Sequence, residues 1–546
     1  MPPSVVVVGA GLAGMAAAIV AADEGADVTL VEKGTHVGGA AAYSGGQVWV
    51  GGNHVAARLG LEDSVDQTLS YVEGAAAREA ASLDPLLARQ WLSAAPEAAR
   101  YFEEAGVIGW RVIPDYPDYY FPQLQGSRPA GRYLTGAPFD GQTLGVRRDH
   151  LLVSPHFPVG VTYEEMFAWG GMSSRTKWDW DLIRERLDQD VLTFGTGIAA
   201  AFFKGVLDRR VDVLLAHPVV ELLTSGRRVI GVRCRTEGPD VDLAGSVILA
   251  TGAHDWSAEL SRQFTGIPAE DGGSLAPPTI AGDAIGLARD VNAGSSSMPP
   301  WAAPVLPGYR LPTTTAAQDT GYRACFEHCL PHTFLVNAAG ERFADDSFHP
   351  SIVAAALRPS TAGAPTNLPF FMLWDENHHE KYGLGSTMPG GQYPDGLVAS
   401  APTIAQLATL LGLPAAALEQ TTRRFNDHAV TGEDPDFGRG SNHSVRRFRG
   451  DWNNRPNPCL APVERAPFFG MRMRLLNTGI AAAGVRAGMF GRVLTGDGVT
   501  VEGLHAAGEC SDRAAAGVGY NSGYSLSRAM TYGYLAARDV TGTRDS

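Results

Sequence analysis

The chain has 546 residues, of which 45% are hydrophobic and 19% are charged, and its net charge is −14. This composition is typical of a globular protein with two or three hydrophobic cores. The acidic balance argues against nucleic acid or an anionic membrane as a main partner, because both attract basic surfaces.

A glycine motif follows the first predicted strand. A run of four valines precedes Gly9, Gly11 and Gly14, which have the spacing G-x-G-x-x-G, and an alanine-rich helix follows. Glycines at this spacing let the backbone approach a pyrophosphate at the start of the helix. A second predicted strand ends at Glu32, whose carboxylate can accept hydrogen bonds from ribose hydroxyls. The pattern therefore predicts a dinucleotide site in a Rossmann-like βαβ unit.

The remaining chain predicts one discontinuous domain with another inserted into it. Short strands within 219–234 favour an antiparallel meander beside the nucleotide-binding unit. Residues 285–459 are richer in Pro, His and Trp, and after them the composition again resembles that of the nucleotide-binding unit. We therefore predict an α/β dinucleotide-binding domain formed by 1–284 and 460–546, with an α+β substrate-capping domain between its two parts.

Several features bear on the location of the protein. No apolar run approaches the roughly 18 to 20 residues that span a bilayer. The first strand begins directly after Ser4, so we expect no signal peptide. The five cysteines are scattered, which favours reduced thiols in the cytoplasm. The spacing of Cys325 and Cys329 does not match a standard zinc pattern, and we expect no metal site.

Four separate segments together resemble the fumarate reductase/succinate dehydrogenase flavoprotein superfamily. They are Tyr43-Ser-Gly-Gly-Gln-Val-Trp49, Gly340-Glu-Arg-Phe-Ala-Asp-Asp-Ser347, Leu504-His-Ala-Ala-Gly-Glu509 and Tyr520-Asn-Ser-Gly-Tyr-Ser-Leu526. Within that superfamily the chain is similar to the 3-ketosteroid dehydrogenase branch. The last string is most similar to the Δ4-(5α)-type dehydrogenases. The resemblance covers nearly the whole chain.

This resemblance implies a bound FAD in an extended pose. It places backbone at Val220 against adenine, Glu509 on the ribityl hydroxyls, and the amides of Ser525 and Leu526 at the flavin N1–C2=O edge. We expect the FAD to be non-covalent, because the Ser44-Gly-Gly-Gln segment lacks the histidine that succinate dehydrogenases carry there. The residues expected at the cofactor are Gly9, Gly11, Gly14, Glu32, Lys33, Gly38, Gly39, Ala40, Ser44, Gly45, Gly46, Val220, Thr251, Gly252, Asp283, Glu509, Ser525 and Leu526.

The resemblance also implies a reaction, the introduction of a C=C bond α,β to the ketone of a cyclic substrate. Such a desaturation needs a group that polarises the carbonyl, a base for the α proton, and flavin N5 to accept the β hydride. Tyr520, Ser522 and the amide of Gly523 are the expected polarising and relay groups. The substrate is expected to be a 3-ketosteroid or a smaller cyclohexanone-type ketone. A quinone or another acceptor would then remove the electrons.

The base is where the chain departs from the family pattern. After the Gly-x-Arg-Phe string, the ketosteroid enzymes carry a tyrosine taken to be catalytic, but here Phe348 and His349 stand at or beside that place. Histidine titrates near neutrality and is a competent base. Either His349 is the base for the α proton, or the base is a group elsewhere in the chain. Tyr119 and Tyr120 are then the reserve candidates.

Two other functions stay open at this point. An enone or enoate reductase of the fumarate reductase type would need a strong proton donor, and that branch uses an arginine where Pro350 or its neighbours stand here. A redox-neutral flavoprotein with a structural FAD would carry the same glycine motifs. The motifs concern FAD binding and not turnover, so they do not separate it from a dehydrogenase.

Overall fold

We describe a computed structural model over residues 2–78, 83–157, 160–314, 318–359 and 365–543. The first part contains β1 (Ser4–Val8), α1 (Leu12–Asp23), β2 (Asp27–Val31), α2 (Gly39–Tyr43), β3 (Val48–Trp49), α3 (His54–Arg58), α4 (Val65–Ala77), α5 (Pro85–Glu104), β4 (Trp110–Val112), β5 (Tyr133–Gly136), β6 (Phe139–Asp140), α6 (Tyr163–Ala168), α7 (Trp180–Asp188), β7 (Val191–Leu192) and α8 (Phe194–Asp208). The middle part contains β8 (Asp212–Leu214), β9 (Val219–Ser225), β10 (Arg228–Cys234), β11 (Val241–Ala244), β12 (Ser246–Leu249), α9 (Ala258–Thr265), α10 (Asp283–Asp290), β13 (Ser295–Ser297), β14 (Leu306–Arg310), β15 (Tyr322–Ala324), β16 (Thr333–Asn337), α11 (His349–Leu357), β17 (Phe370–Asp375), α12 (Glu376–Tyr382) and β18 (Ala399–Ala401). The last part contains α13 (Ile404–Leu411), α14 (Ala415–Thr431), α15 (His443–Phe448), β19 (Phe468–Leu476), β20 (Ala483–Val485), β21 (Arg492–Leu494), β22 (Thr500–Ala506) and α16 (Tyr524–Thr541).

The main sheet has the strand order β21-β22-β12-β1-β2-β8. All neighbours in it are parallel except β21, which runs antiparallel to β22. The valines of β1 are buried, as expected for a parallel strand covered on both faces. Strands β9, β10 and β11 form the antiparallel meander. The predicted Rossmann-like α/β unit and its meander are therefore confirmed.

The inserted part is built on a second sheet with the order β15-β14-β19-β17-β16. Its neighbours are antiparallel, and β18 pairs with β19 outside that path. Strand β19 lies beyond the boundary that the sequence predicts at residue 459, yet it pairs with both β14 and β17. The inserted part therefore extends beyond residue 459, because β19 belongs to its sheet. Pairing between strands that are distant in the sequence cannot be predicted from local composition.

Helices α1 and α16 pack against each other on the main sheet. Small residues set their distance, since a Cβ at Gly533 would lie 2.5 Å from the carbonyl oxygen of Ala13. A Cβ at Gly508 would similarly lie 2.9 Å from the Cβ of Ala13. The close approach places the N-terminal glycine motif and the glycine turn before α16 beside each other.

None of the helices in the described ranges is long and apolar enough to cross a membrane. The five cysteines are all buried and free.

Gly14 provides a test of this packing. A Cβ there would lie 1.8 Å from the carbonyl oxygen of Gly9 and 3.3 Å from the Cβ of Ala250. We expect Gly14→Ala to lower the free energy of unfolding by at least about 1 kcal/mol, because α1 must move away from β1. Thermal or denaturant unfolding of the apoprotein measures this change.

Gly286 in α10 is the matched control, because a Cβ there would meet nothing within 4 Å. Gly286→Ala should leave stability unchanged or raise it by up to about 1 kcal/mol, the helix propensity difference. Equal stability of the Gly14→Ala protein and the wild type would contradict the close contact of α1 with Gly9 and Ala250, which directly follow β1 and β12.

Candidate active site

A cavity of about 650 Å³ lies between the main sheet and the inserted sheet. Leu12 and Ala13 at the start of α1 line one part of it, and Ser525 and Leu526 at the start of α16 line another. The first N–H groups of a helix have no partner within the helix and carry partial positive charge. Two such helix ends therefore face one cavity, which suits an elongated ligand with anionic groups.

The glycine motif forms the wall beside α1. Gly9 has a φ of +107°, and a Cβ on it would lie 2.5 Å from the carbonyl oxygen of Ala250. Only glycine fits a left-handed conformation at so close an approach. Glu32 follows β2 and accepts hydrogen bonds from the N–H groups of Ala10 at 2.9 Å and Gly34 at 2.8 Å. Burial raises the pKa of the Glu32 carboxyl, and these two hydrogen bonds lower it.

Most of the residues predicted at the cofactor lie on the wall of this one cavity. They are Gly9, Gly11, Glu32, Lys33, Gly39, Ala40, Ser44, Gly45, Gly46, Thr251, Gly252, Asp283, Glu509, Ser525 and Leu526. Lys33 and Asp283 form an ion pair there at 2.6 Å. Three predicted residues are not part of the wall. Gly14 packs against Gly9, Gly38 donates its N–H to the carbonyl of Ala10 at 2.8 Å, and Val219 lines the cavity in place of Val220.

The wall is suited to FAD on two further grounds. The buried hydroxyl of Thr251 has no hydrogen-bond partner among the described residues, and a buried polar group of this kind calls for a ligand or a water. Glu509 accepts hydrogen bonds from the N–H of Ala481 at 2.9 Å and from Arg528 at 3.2 Å, which fixes its carboxylate at the wall. A ribityl chain with its hydroxyls could donate to such a carboxylate.

Tyrosines stand at the part of the cavity next to α16. The rings of Tyr119 and Tyr520 have their centroids 5.8 Å apart, and both line the cavity with Ser522 and Gly523. Burial raises the pKa of both phenols. The guanidinium of Arg449 opposes this rise at each of them, and a hydrogen bond with Ser522 also lowers the pKa of Tyr119.

Hydrogen bonds fix the backbone of Tyr119. Its N–H donates to Oδ1 of Asn521 at 3.1 Å, and its carbonyl accepts from Nδ2 of Asn442 at 2.8 Å. The preceding residue, Asp118, accepts from the indole of Trp49 at 2.7 Å and pairs with buried Arg132 at 2.8 Å. Tyr119 therefore has a rigid support, although it lies outside any helix or strand.

His349 lies behind the cavity wall. Its ring packs edge-on against Tyr520 and Tyr119, at centroid distances of 5.3 Å and 5.7 Å. Burial, with Arg449 and His328 nearby, holds the pKa of His349 well below its usual value. Tyr120 is also absent from the wall and packs against Tyr71 and Phe348. Of the candidates for the base, the structure thus brings Tyr119 to the cavity and leaves His349 and Tyr120 outside it.

The wall also includes Gln47, Tyr116 and Arg449, which are not among the site residues predicted from the sequence. Ser522 donates to Oε1 of Gln47, and Nε2 of Gln47 donates to the phenol of Tyr116 at 3.3 Å. Arg449 follows α15 and stacks over the ring of Phe326 at 4.5 Å. Gln47 lies within the Tyr43–Trp49 string and could have been selected from it. Arg449 lies in no motif, and only the tertiary fold reveals its position.

Comparison with known proteins agrees with this geometry. A family model described as an FAD binding domain matches residues 4–527. The 4-oxocyclohexanecarboxylate 2-dehydrogenase of Sinomonas cyclohexanicum is 31% identical over 98% of this chain and 92% of its own length. The 3-ketosteroid Δ1-dehydrogenase structure from Sterolibacterium denitrificans, in complex with 1,4-androstadiene-3,17-dione, superimposes with a TM-score of 0.88. It is 27% identical, over 99% of this chain and 100% of that one.

The 3-ketosteroid Δ4-(5α)-dehydrogenase structure from Rhodococcus jostii RHA1 shares the fold at a TM-score of 0.65. It is 21% identical, over 99% of this chain and 97% of that one. The C-terminal string predicts the greatest similarity to this type, but the whole fold superimposes better on the Δ1 structure. The predicted resemblance to ketosteroid dehydrogenases is confirmed, and the chain belongs to the FAD binding domain family of flavoproteins.

Proposed function

We propose that this protein is an FAD-dependent dehydrogenase that introduces a C=C bond next to the ketone of a cyclic substrate. The observation that carries the proposal is the pair of facing tyrosines, Tyr119 and Tyr520, beside the first turn of α16. A named relative that acts on an oxocyclohexane ring and a ketosteroid dehydrogenase structure support the substrate class. When bound, FAD supplies the acceptor for the hydride from the β carbon.

Polarisation of the ketone belongs to Tyr520 and the start of α16. Negative charge develops on the ketone oxygen as the α proton leaves, and preorganised donors stabilise it. Burial raises the pKa of Tyr520, so its hydroxyl stays protonated at neutral pH and can donate to that oxygen. Gly523, with a φ of +86°, takes a left-handed conformation directly before α16 and lines the cavity, so its backbone N–H is the second candidate donor.

Removal of the α proton belongs to Tyr119. A buried phenol is a poor base, because burial disfavours the phenolate. Here the guanidinium of Arg449 lowers the pKa of Tyr119 from the value that burial sets, and the Ser522 hydroxyl lowers it further when it donates to Tyr119 instead of Gln47. Two tyrosines on one wall thus serve opposite roles, one as the proton donor and one as the base. Different neighbours of two titratable groups are a common way to divide such roles.

We propose a quinone or another small oxidant as the acceptor that reoxidises the flavin, since the sequence shows no second nucleotide motif for NAD(P)H. Burial raises the pKa of the Cys510 thiol to about 12 and keeps it unreactive. Five buried free thiols support a reducing compartment, and we propose the cytoplasm.

Anaerobic flavin bleaching tests the proposed reaction. We expect the oxidised holoenzyme to lose its visible absorption with at least one of a 3-ketosteroid, cyclohexanone and 4-oxocyclohexanecarboxylate, and to keep it with succinate. Each ketone has an acidic α proton, and succinate lacks a ketone. Reoxidation of dithionite-reduced flavin by an enone or fumarate, with no bleaching by any ketone, would instead establish a reductase. A flavin inert to all of these compounds would be structural.

Substitution of the two tyrosines tests their roles. Tyr119→Phe and Tyr520→Phe should each retain FAD and slow flavin reduction by at least about a hundredfold, the low end for a general acid or base. Stopped-flow absorbance with the best ketone measures the limiting rate. Tyr120→Phe is the matched control, because its ring is off the cavity wall, and its rate should stay within about threefold of the wild type.

His349→Phe separates the two candidate bases. A phenol base must lose its proton first, so the limiting rate should rise with pH between about 7 and 9 in the wild type. This profile should keep its shape in His349→Phe, because the low pKa of His349 keeps its ring neutral over the whole range. A wild-type rate that does not change with pH over this range, and that falls at every pH in His349→Phe, would assign the base to His349, whose neutral ring can already accept a proton.

A further inference from the structure

Four cationic side chains line the cavity, and three of them have a carboxylate partner. Lys33 pairs with Asp283 at 2.6 Å, Arg323 with Asp319 at 2.6 Å, and Arg175 with Glu327 at 3.7 Å. The fourth is Arg449. Within the part of the chain that the structure describes, no carboxylate lies within 4 Å of its guanidinium.

The groups that face Arg449 are neutral. Its guanidinium lies over the ring of Phe326 and next to the phenols of Tyr116 and Tyr119 and the thiol of Cys329. Burial raises the pKa of the Cys329 thiol to about 11, and the phenols also titrate well above neutrality, so none of them supplies a negative charge at neutral pH. The aromatic stack contributes some attraction but leaves the charge uncompensated.

An uncompensated cation in such a place is costly to the protein. Arginine stays charged at any physiological pH, and removing its charge from water without a counter-ion is unfavourable. The planar guanidinium matches a carboxylate with two parallel hydrogen bonds, which is the usual way in which the cost is offset. The missing partner is therefore expected in the ligand that occupies this part of the cavity.

We propose that Arg449 binds a carboxylate on the substrate, so that the enzyme acts on a cyclic ketone that carries an acid group rather than on an uncharged steroid. This proposal rests on the proposed function for the ketone, since it assigns the other end of the same molecule. The ring would lie with its ketone toward Tyr520 and Gly523 and its carboxylate toward Arg449. All three residues line the one cavity.

The other role open to Arg449 is electrostatic support of Tyr119, whose pKa it lowers. The two roles predict different changes. Loss of a substrate contact weakens the binding of acids alone, whereas loss of support for the base slows the reaction of every ketone. A ligand without a ketone separates binding from turnover completely.

The experiment compares the wild-type holoenzyme with Arg449→Gln, using calorimetric titration with cyclohexanecarboxylate and with its methyl ester. Neither compound has a ketone to be oxidised. We expect the wild type to bind the acid, and the variant to bind it at least about thirtyfold more weakly, since truncating one side of a desolvated charge pair is costly. The methyl ester should bind both proteins with affinities within about threefold of each other.

Two further variants are the controls. Arg446→Gln removes a neighbouring cation at the end of α15 that is off the cavity wall, and it should bind the acid as the wild type does. Arg449→Lys keeps the charge without the planar fork and should recover part of the affinity. FAD absorbance of each variant should equal that of the wild type.

Flavin reduction by 4-oxocyclohexanecarboxylate and by its methyl ester completes the test. Arg449→Gln should raise the dissociation constant of the acid at least about thirtyfold and leave that of the ester within about threefold, while the lost support of Tyr119 slows the limiting rate for the ester as well. Equal acid binding by the wild type and Arg449→Gln would overturn the proposal, as would an equal weakening of acid and ester binding in the variant. Acid binding that depends on Arg449, without any bleaching, would overturn the dehydrogenase function alone.

Discussion

The contact between the first and last helices determines the geometry of the whole site. Ala13 and Gly533 meet at a distance that leaves no room for a further Cβ. Because of this contact, the N-terminal ends of α1 and α16 open into the same cavity, although more than 500 residues separate them. The turn before α16 is also fastened to β3, where the N–H of Trp49 donates to the carbonyl of Gly523 at 3.2 Å. The two helix ends that line the cavity are thereby held at a fixed separation.

A buried hydrogen-bond network connects the turn before α16 to the loop that carries Tyr119. Asn521, in the turn before α16, binds the backbone of Tyr119 and accepts from the phenol of Tyr71 at 2.7 Å, while its amide donates to Tyr133 at 2.9 Å. Every polar atom of the carboxamide thus has a partner, and a fully satisfied buried network specifies one arrangement. Asn521 therefore ties the loop of Tyr119 to the turn that contains Tyr520.

Sequence reasoning succeeded where the chemistry is local. The glycine spacing, Glu32 and the turn at Tyr520 to Leu526 depend on a few adjacent residues, and the structure brings most of them to one wall. It could not succeed where side chains meet through the tertiary fold. In the segment after the Gly-x-Arg-Phe string, Asp346 pairs with buried Arg439 at 2.7 Å, and His349 is absent from the cavity wall. The strand β19 and the cavity position of Arg449 also depend on long-range pairing.

If Tyr119 is the base and Arg449 binds a substrate carboxylate, as proposed, Arg449 couples the charge of the substrate to the strength of the base. Its guanidinium lowers the pKa of Tyr119, and a carboxylate bound to it would cancel much of that effect. On this proposal an acidic ketone binds more tightly but meets a weaker base. An uncharged ketone leaves the cation free to support the phenolate. The apparent pKa of the limiting rate should accordingly be higher for the acid than for its ester. A carboxylate on the substrate thus strengthens binding and weakens the base through the same residue.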